Sequence, residues 1–207
     1  MSPPLTLRFV LSETDAERLP ESPAEVAFVG RSNVGKSSLL NALGNRKGLA
    51  HVSKTPGRTQ LLNLFEVTFQ GRRQQPDEGQ LGPTLMDCPG YGFAATSKQV
   101  RQSWGPMIER YLLEREELTM IMVLVDGEIG PTKLDLQMLD WLRANTLPHT
   151  VIATKHDKVK SAKRQKRKKE LAEACDLEQG DVVWVSAAKN VNIDKLRDLV
   201  RLWLDVR

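Results

Sequence analysis

A chain of 207 residues, 40% hydrophobic and 27% charged, has the composition of an ordinary globular domain with an ample core, so neither disulfides nor a structural metal is needed to hold it together. Its formal charge of +4 is mild, and its two cysteines, Cys88 and Cys175, stand far apart, which excludes a disulfide scaffold and suits buried free thiols in a reducing compartment. Residues 1–23 lack the cationic start and long apolar stretch of a secretion signal, and the longest apolar run, 120–125, is far too short to cross a bilayer, so the expected location is cytoplasmic, without a membrane.

Along the chain, apolar β-rich segments alternate with helical ones, the pattern of a mostly parallel sheet covered on both faces. Residues 1–23 read as an N-terminal extension, with an apolar patch at 5–11 followed by acids and prolines. A short buried strand at 24–29 ends at Gly30, and a helix at 36–43 is closed by Gly44. Residues 45–59 have no sustained period and contain Pro56-Gly57, so they read as a loop. Residues 60–69 alternate as a strand does; 71–83 form a polar hairpin loop marked by Gly and Pro. A strand at 84–86 runs into Asp87, and 91–97 is loop. A helix at 106–115 carries Pro106 in its first turn, where proline is tolerated. Strands follow at 120–125, 149–153 and 182–185, and helices at 134–144, 162–174 and 193–204. Nothing marks a second domain, so 24–207 form one unit. The expected architecture is a three-layer, doubly wound α/β sandwich of about six mostly parallel strands, with 60–69 antiparallel.

Gly30-Arg31-Ser32-Asn33-Val34-Gly35-Lys36-Ser37 fits the phosphate-loop pattern G-x-x-x-x-G-K-[ST], with Ser38 continuing into the helix. The glycines let backbone N–H groups turn inward around a phosphate, and the helix dipole adds to their field. Lys36 would reach the β- and γ-phosphates, and the Ser37 hydroxyl would ligate Mg²⁺. Asp87-Cys88-Pro89-Gly90 sits at a strand end, where Asp87 would hold Mg²⁺ through a water and the Gly90 N–H would meet the γ-phosphate. Thr154-Lys155-His156-Asp157 follows the strand at 149–153. A carboxylate at Asp157 accepts from both N1–H and the exocyclic amine of guanine, whereas adenine leaves it unpaired, a large penalty at a buried site. The Lys155 stem would cover the base, and the segment from Val185 through Ser186 and Ala187 would offer a backbone N–H to guanine O6. His156 reads as a spacer. Trp104, Trp141, Trp184 and Trp203 read as packing residues.

With these residues placed, the chain resembles the EngB (YihA/YsxC) family of bacterial translation-factor-related P-loop GTPases. The resemblance spans nearly the whole chain, and its most specific stretches are Thr55-Pro56-Gly57-Arg58-Thr59-Gln60 and Asp87-Cys88-Pro89-Gly90-Tyr91-Gly92. It implies a monomeric cytoplasmic GTPase that helps assemble the large ribosomal subunit, in contact with its rRNA, and a link to cell division and septation. It also implies that Thr59 ligates Mg²⁺ beside Ser37, and that Gly57, Arg58, Thr59, Gln60 and Leu61 line the nucleotide. Lys36, Thr59 and Gly90 would then act on the transferred phosphate. The chain departs from the family pattern in a longer 71–83 loop and at Gly127-Glu128, where an apolar residue and an arginine are usual.

Two features stay open at this level. The many cations of 155–169 suit rRNA contact or a plain solvated helix face. Tyr91 stands where many GTPases carry a water-orienting glutamine. In related GTPases an asparagine at the position of Asn33 helps hold K⁺, so Asn33 either does this or braces its loop. A structural GTP on an RNA-binding module is the alternative to a switch; an ATP-dependent enzyme is disfavoured by Asp157.

Overall fold

The computed structural model describes residues 2–49, 61–69, 80–92 and 105–205. Among them, β1 (Thr6–Glu13), β2 (Glu25–Gly30), β3 (Leu62–Thr68), β4 (Thr84–Asp87), β5 (Leu118–Asp126), β6 (His149–Thr154) and β7 (Val182–Trp184) form one sheet, ordered β1-β3-β4-β2-β5-β6-β7. Helices α1 (Lys36–Leu43), α2 (Gly105–Glu114), α3 (Lys133–Ala144), α4 (Arg164–Ala174) and α5 (Ile193–Leu204) cover it. β3 runs antiparallel to both β1 and β4; the pairs from β4 through β2, β5 and β6 to β7 are parallel.

The pattern of each element explains its place. Every residue of β2 is buried, as is the second half of β5, because both faces of a central parallel strand are covered. α1 and α5 pack Leu39, Leu40, Leu196 and Val200 against Val26, Phe28 and Leu124 on one face. On the other, α2 and α3 pack Tyr111, Leu112, Met138 and Leu142 against Ala27, Ile121 and Val123. Each fully buried leucine stabilises this sandwich by about 2 kcal/mol. α5 buries Ile193, Leu196, Arg197, Val200 and Leu204, a single helical stripe. α4 buries only Leu171 and Ala172, with Lys166 and Lys169 exposed and Arg164, Arg167 and Lys168 half-buried.

The sheet holds seven strands rather than about six, because part of the segment expected to be an extension pairs as β1 along β3, from Thr6↔Thr68 to Glu13↔Leu62. Leu5 and Leu7 are buried there, while Phe9 is 48% exposed and a register shift falls between Phe9 and Leu11. An irregular edge strand with one face in water carries little periodic signal. The helix expected from 162 begins as a 3-10 turn, Ser161–Lys163, and becomes α-helical at Arg164. The buried Arg197 donates to the Leu43 and Ala42 carbonyls, at 2.9 and 2.6 Å, satisfying the C-terminal end of α1 with a cation suited to its dipole.

The chain leaves β2 to build β3 and β4 on one side and returns to build β5, β6 and β7 on the other. The carboxyl end of β2 is therefore a topological switch point, where open α/β sheets place their ligand crevice.

Candidate nucleotide site

β2 delivers Gly30 to that crevice. A β-carbon on Gly30 would lie 3.0 Å from the Leu124 carbonyl and from Val34 Cγ1, so the strand end tolerates little beyond glycine. The loop then turns back through Asn33, at φ 65°, and Gly35, at φ 113°, a left-handed value that glycine adopts without strain. Gly35 caps α1 without a side chain, so the first turn, with Lys36, Ser37 and Ser38, presents its amides toward the crevice. Lys36 is buried, with Nζ 3.4 Å from the Gly30 carbonyl. Burial pushes its pKa down, and the nearby Asp87 opposes that shift.

β4 brings Asp87 to the same crevice. Burial raises its carboxyl to about 6 against the pull of Lys36. Its Oδ1 is buried with no hydrogen-bond partner among the described residues. A buried carboxylate oxygen in that condition calls for a cation or a cation-bound water, and the Ser37 hydroxyl at the start of α1 is a suitable second oxygen donor. These residues fit Mg²⁺. Beyond Cys88, itself buried, and Pro89, Gly90 packs directly on the loop. A β-carbon there would stand 2.9 Å from Ser32 Cα, N and Oγ, and the two backbone atoms among them cannot yield. Main-chain bonds fasten the two segments: the Tyr91 N–H donates to Gly30 at 3.3 Å and the Ser32 N–H to Tyr91 at 3.0 Å.

Across the crevice, β6 and β7 supply the second half. The Thr154 hydroxyl donates to the Val34 carbonyl at 2.7 Å and to Val125 at 3.2 Å, tying the phosphate loop to the β6 end. Lys155 takes φ 54° and donates from Nζ to Asp126 Oδ2 at 2.6 Å. The His156 N–H bonds the Val185 carbonyl, and its ring stands edge-on to Trp184, centroids 5.8 Å apart. Ser186, fully buried, donates to Asp157 Oδ1 at 2.5 Å and accepts the Lys189 N–H, while Ala187 beside it is half-buried. The arrangement holds the Asp157 carboxylate against the segment that follows β7.

The structure thus brings together Gly30 to Ser38, Asp87 to Gly90, Thr154 to Asp157 and Val185 to Ala187 at the carboxyl ends of four parallel strands. Leu61 is 36% exposed just ahead of β3; Gly57, Arg58, Thr59 and Gln60 lie outside the described residues. So do most of segments 49–58 and 91–97, within the two loops read from the sequence. Sequence reasoning passes over Asp126 and Asp135. Asp126 orients Lys155, and its only signal is its place after an apolar run. Asp135, wholly buried, forms a capping box with Thr132, a T-x-x-D pattern visible ahead of the α3 apolar stripe.

A strand, a phosphate-loop sequence and a helix meeting at the switch point of such a sheet, with an acidic strand end beside them, are the arrangement of a P-loop GTPase. The family model described as 50S ribosome-binding GTPase matches residues 25–155. A probable GTP-binding protein EngB of Desulforapulum autotrophicum is 42% identical over 172 residues, 83% of this chain and 82% of that one. The crystal structure of a probable GTP-binding protein EngB superposes with a TM-score of 0.64 at 24% identity, covering 89% of this chain and 100% of the other. Era in complex with MgGDPNP and a fragment of 16S ribosomal RNA superposes with a TM-score of 0.63 at 25% identity, over 91% of this chain and 59% of Era. The chain belongs to the EngB family of GTP-binding proteins, and it is a GTP hydrolase of that type.

Proposed function

We propose that this GTPase is a nucleotide switch that serves assembly of the large ribosomal subunit in the cytoplasm, acts as a monomer, and supports normal cell division and septation. The observation that carries the switch is the packing of Gly90 directly on Ser32 of the phosphate loop, which supports a role for the Gly90 N–H at the γ-phosphate.

In this reading the amides from Arg31 to Ser38 hold the phosphates, and Lys36 spreads charge from the β- to the γ-phosphate. Ser37, Asp87 and Thr59 would hold Mg²⁺, which when bound neutralises charge between the last two phosphates. The Gly90 N–H steadies the oxyanion that grows as water displaces GDP. Gly57, Arg58, Gln60 and Leu61 close over the nucleotide. Asp157 reads guanine, held in place by Ser186, while Lys155, fixed by Asp126, covers the base. The same reading puts K⁺ beside Asn33, where it would supply charge that Tyr91 cannot.

Support for a ribosomal partner comes from three sides. The matching family is described as ribosome-binding, Era is bound to ribosomal RNA in its crystal structure, and α4 carries a run of cations of which Lys166 and Lys169 are exposed. The membrane plays no part in this reading; no helix among the described residues is long and apolar enough to cross one. The test is co-sedimentation with purified ribosomal subunits. Binding to the large subunit with a non-hydrolysable GTP analogue, and weaker binding with GDP, is expected. Equal binding in both states would instead favour an RNA-binding module with a structural nucleotide.

A further inference from the structure

Asp135 lies at the third position of α3 with no exposed surface, and its two oxygens serve different elements. Oδ2 accepts from the Thr132 N–H and hydroxyl, both at 2.8 Å, and from Arg31 Nε at 3.1 Å. Oδ1 accepts from the Tyr91 hydroxyl at 2.9 Å. A helix cap needs only the bond to Thr132 and neither burial nor a cation. The remaining two bonds reach outside the helix, to the residues that directly follow Gly30 and Gly90. Those two residues also form a main-chain bridge, Arg31↔Tyr91.

We propose that Asp135 is a positioning residue for GTP: by clamping Arg31 and Tyr91 from a third element, it fixes the Gly90 amide against the phosphate loop before nucleotide arrives. This rests on the reading of the crevice as a guanine-nucleotide site. The physical argument is one of rigidity. Gly90 fits against Ser32 with no room for a β-carbon, so any drift of Tyr91 carries Gly90 with it. Such drift would leave a buried carboxylate without its phenol, and an unmade bond to a buried charge is costly. The clamp therefore holds the donor in place without help from ligand. GDP has no γ-phosphate to meet Gly90, so the benefit falls on GTP alone. The phenol supports this role, as burial and the adjoining Asp135 charge keep it protonated and donating.

The test compares GDP affinity, affinity for a non-hydrolysable GTP analogue, single-turnover hydrolysis and thermal stability. Tyr91→Phe removes only the hydroxyl; Asp135→Ala removes the whole clamp. Both should weaken the analogue relative to GDP by about fivefold or more, a modest coupling by the usual scale, and slow single-turnover hydrolysis. The double variant should be no worse in that ratio than Asp135→Ala. Thr132→Ala, which loses the cap hydroxyl and leaves the clamp, should lower the melting temperature and keep the ratio. If Tyr91→Phe and Asp135→Ala weaken both nucleotides equally, in step with stability, Asp135 is only a structural support and the proposal falls. Wild type and Lys36→Ala separate this from the site reading. Wild-type protein that binds neither nucleotide, or a Lys36→Ala variant that binds both normally, would overturn the site itself. An unchanged ratio in a protein that passes that control overturns the clamp alone.

Discussion

Gly127 and Trp184 share one space: a β-carbon on Gly127 would lie 2.6 Å from Trp184 Cζ3 and equally close to the Thr154 carbonyl. Glycine at this position thus has a physical reason. The buried Trp184 ring fills the room that a side chain at 127 would take. Gly127→Ala should destabilise the protein by about 1–3 kcal/mol through overpacking, read as a lower melting temperature. In a Trp184→Leu background the added cost of Gly127→Ala should be smaller but not vanish, because the Thr154 carbonyl stays. An unchanged melting temperature in Gly127→Ala would show that this corner is loosely packed.

In the proposed reading base choice rests on Asp157, whose Oδ1 takes the Ser186 hydroxyl at 2.5 Å. Asp157→Asn exchanges an acceptor for a donor, so the variant should lose GTP and gain xanthosine nucleotides, whose C2 carries an oxygen. Competitive binding with both nucleotides measures the switch. GTP affinity within about threefold of wild type, ~0.6 kcal/mol, would remove Asp157 from base reading. Ser186→Ala should loosen the same carboxylate and weaken GTP and GDP alike.

Much of this site is legible in the sequence, and the reasons are local. The phosphate loop announces itself because glycine spacing, lysine and a following helix are one contiguous requirement. The helices at 36–43 and 193–204 fall at the expected bounds because their apolar periods are clean and Gly44 punctuates the first. What stays hidden is long-range. Nothing in the neighbours of Asp135 tells that its carboxylate meets Arg31 and Tyr91. The pairing of β1 with β3 likewise depends on a partner some fifty residues away in a stretch whose own alternation is broken by a bulge. Cys88 and Cys175 are readable as buried thiols because neither has a partner cysteine near it in the chain; burial raises both, Cys175 to about 11.

The basic run makes a salt-dependent prediction. Lys166 and Lys169 are largely exposed and, among the described residues, pair with neighbouring Glu170 and Glu173 at 3.8 and 3.6 Å, contacts too weak to occupy them. Arg167 meets Glu170 at 3.7 Å. Replacing Lys166, Arg167, Lys168 and Lys169 by glutamine should weaken large-subunit binding and flatten its dependence on salt, since fewer counterions are released. GTP hydrolysis by the free protein should change little, because α4 lies outside the phosphate side of the crevice. Binding assays across a salt series decide it, and an unaltered slope would return α4 to a solvated face.

The monovalent-ion dependence of turnover tests how hydrolysis is completed. Tyr91 occupies the place where many GTPases keep a water-orienting glutamine, and here its hydroxyl is bound to Asp135 in the core. Charge that develops between the β- and γ-phosphates then needs another partner. Asn33 stands on the exposed bend of the phosphate loop, at φ 65°, while Lys36 is buried with Nζ 3.4 Å from the Gly30 carbonyl. A K⁺ ion held by the Asn33 amide oxygen would sit where a cationic side chain otherwise acts. Na⁺ is smaller and fits a shell of neutral oxygens sized for K⁺ less well. Turnover should therefore be faster in K⁺ than in Na⁺ at equal ionic strength with saturating Mg²⁺. Asn33→Ala should abolish that difference and leave GDP binding largely intact, because GDP lacks the γ-phosphate that the ion would face. If Asn33 only braces its loop, the two salts give equal rates and Asn33→Ala weakens GDP as well. That outcome would remove K⁺ from the mechanism and leave the ribosome as the source of the missing charge.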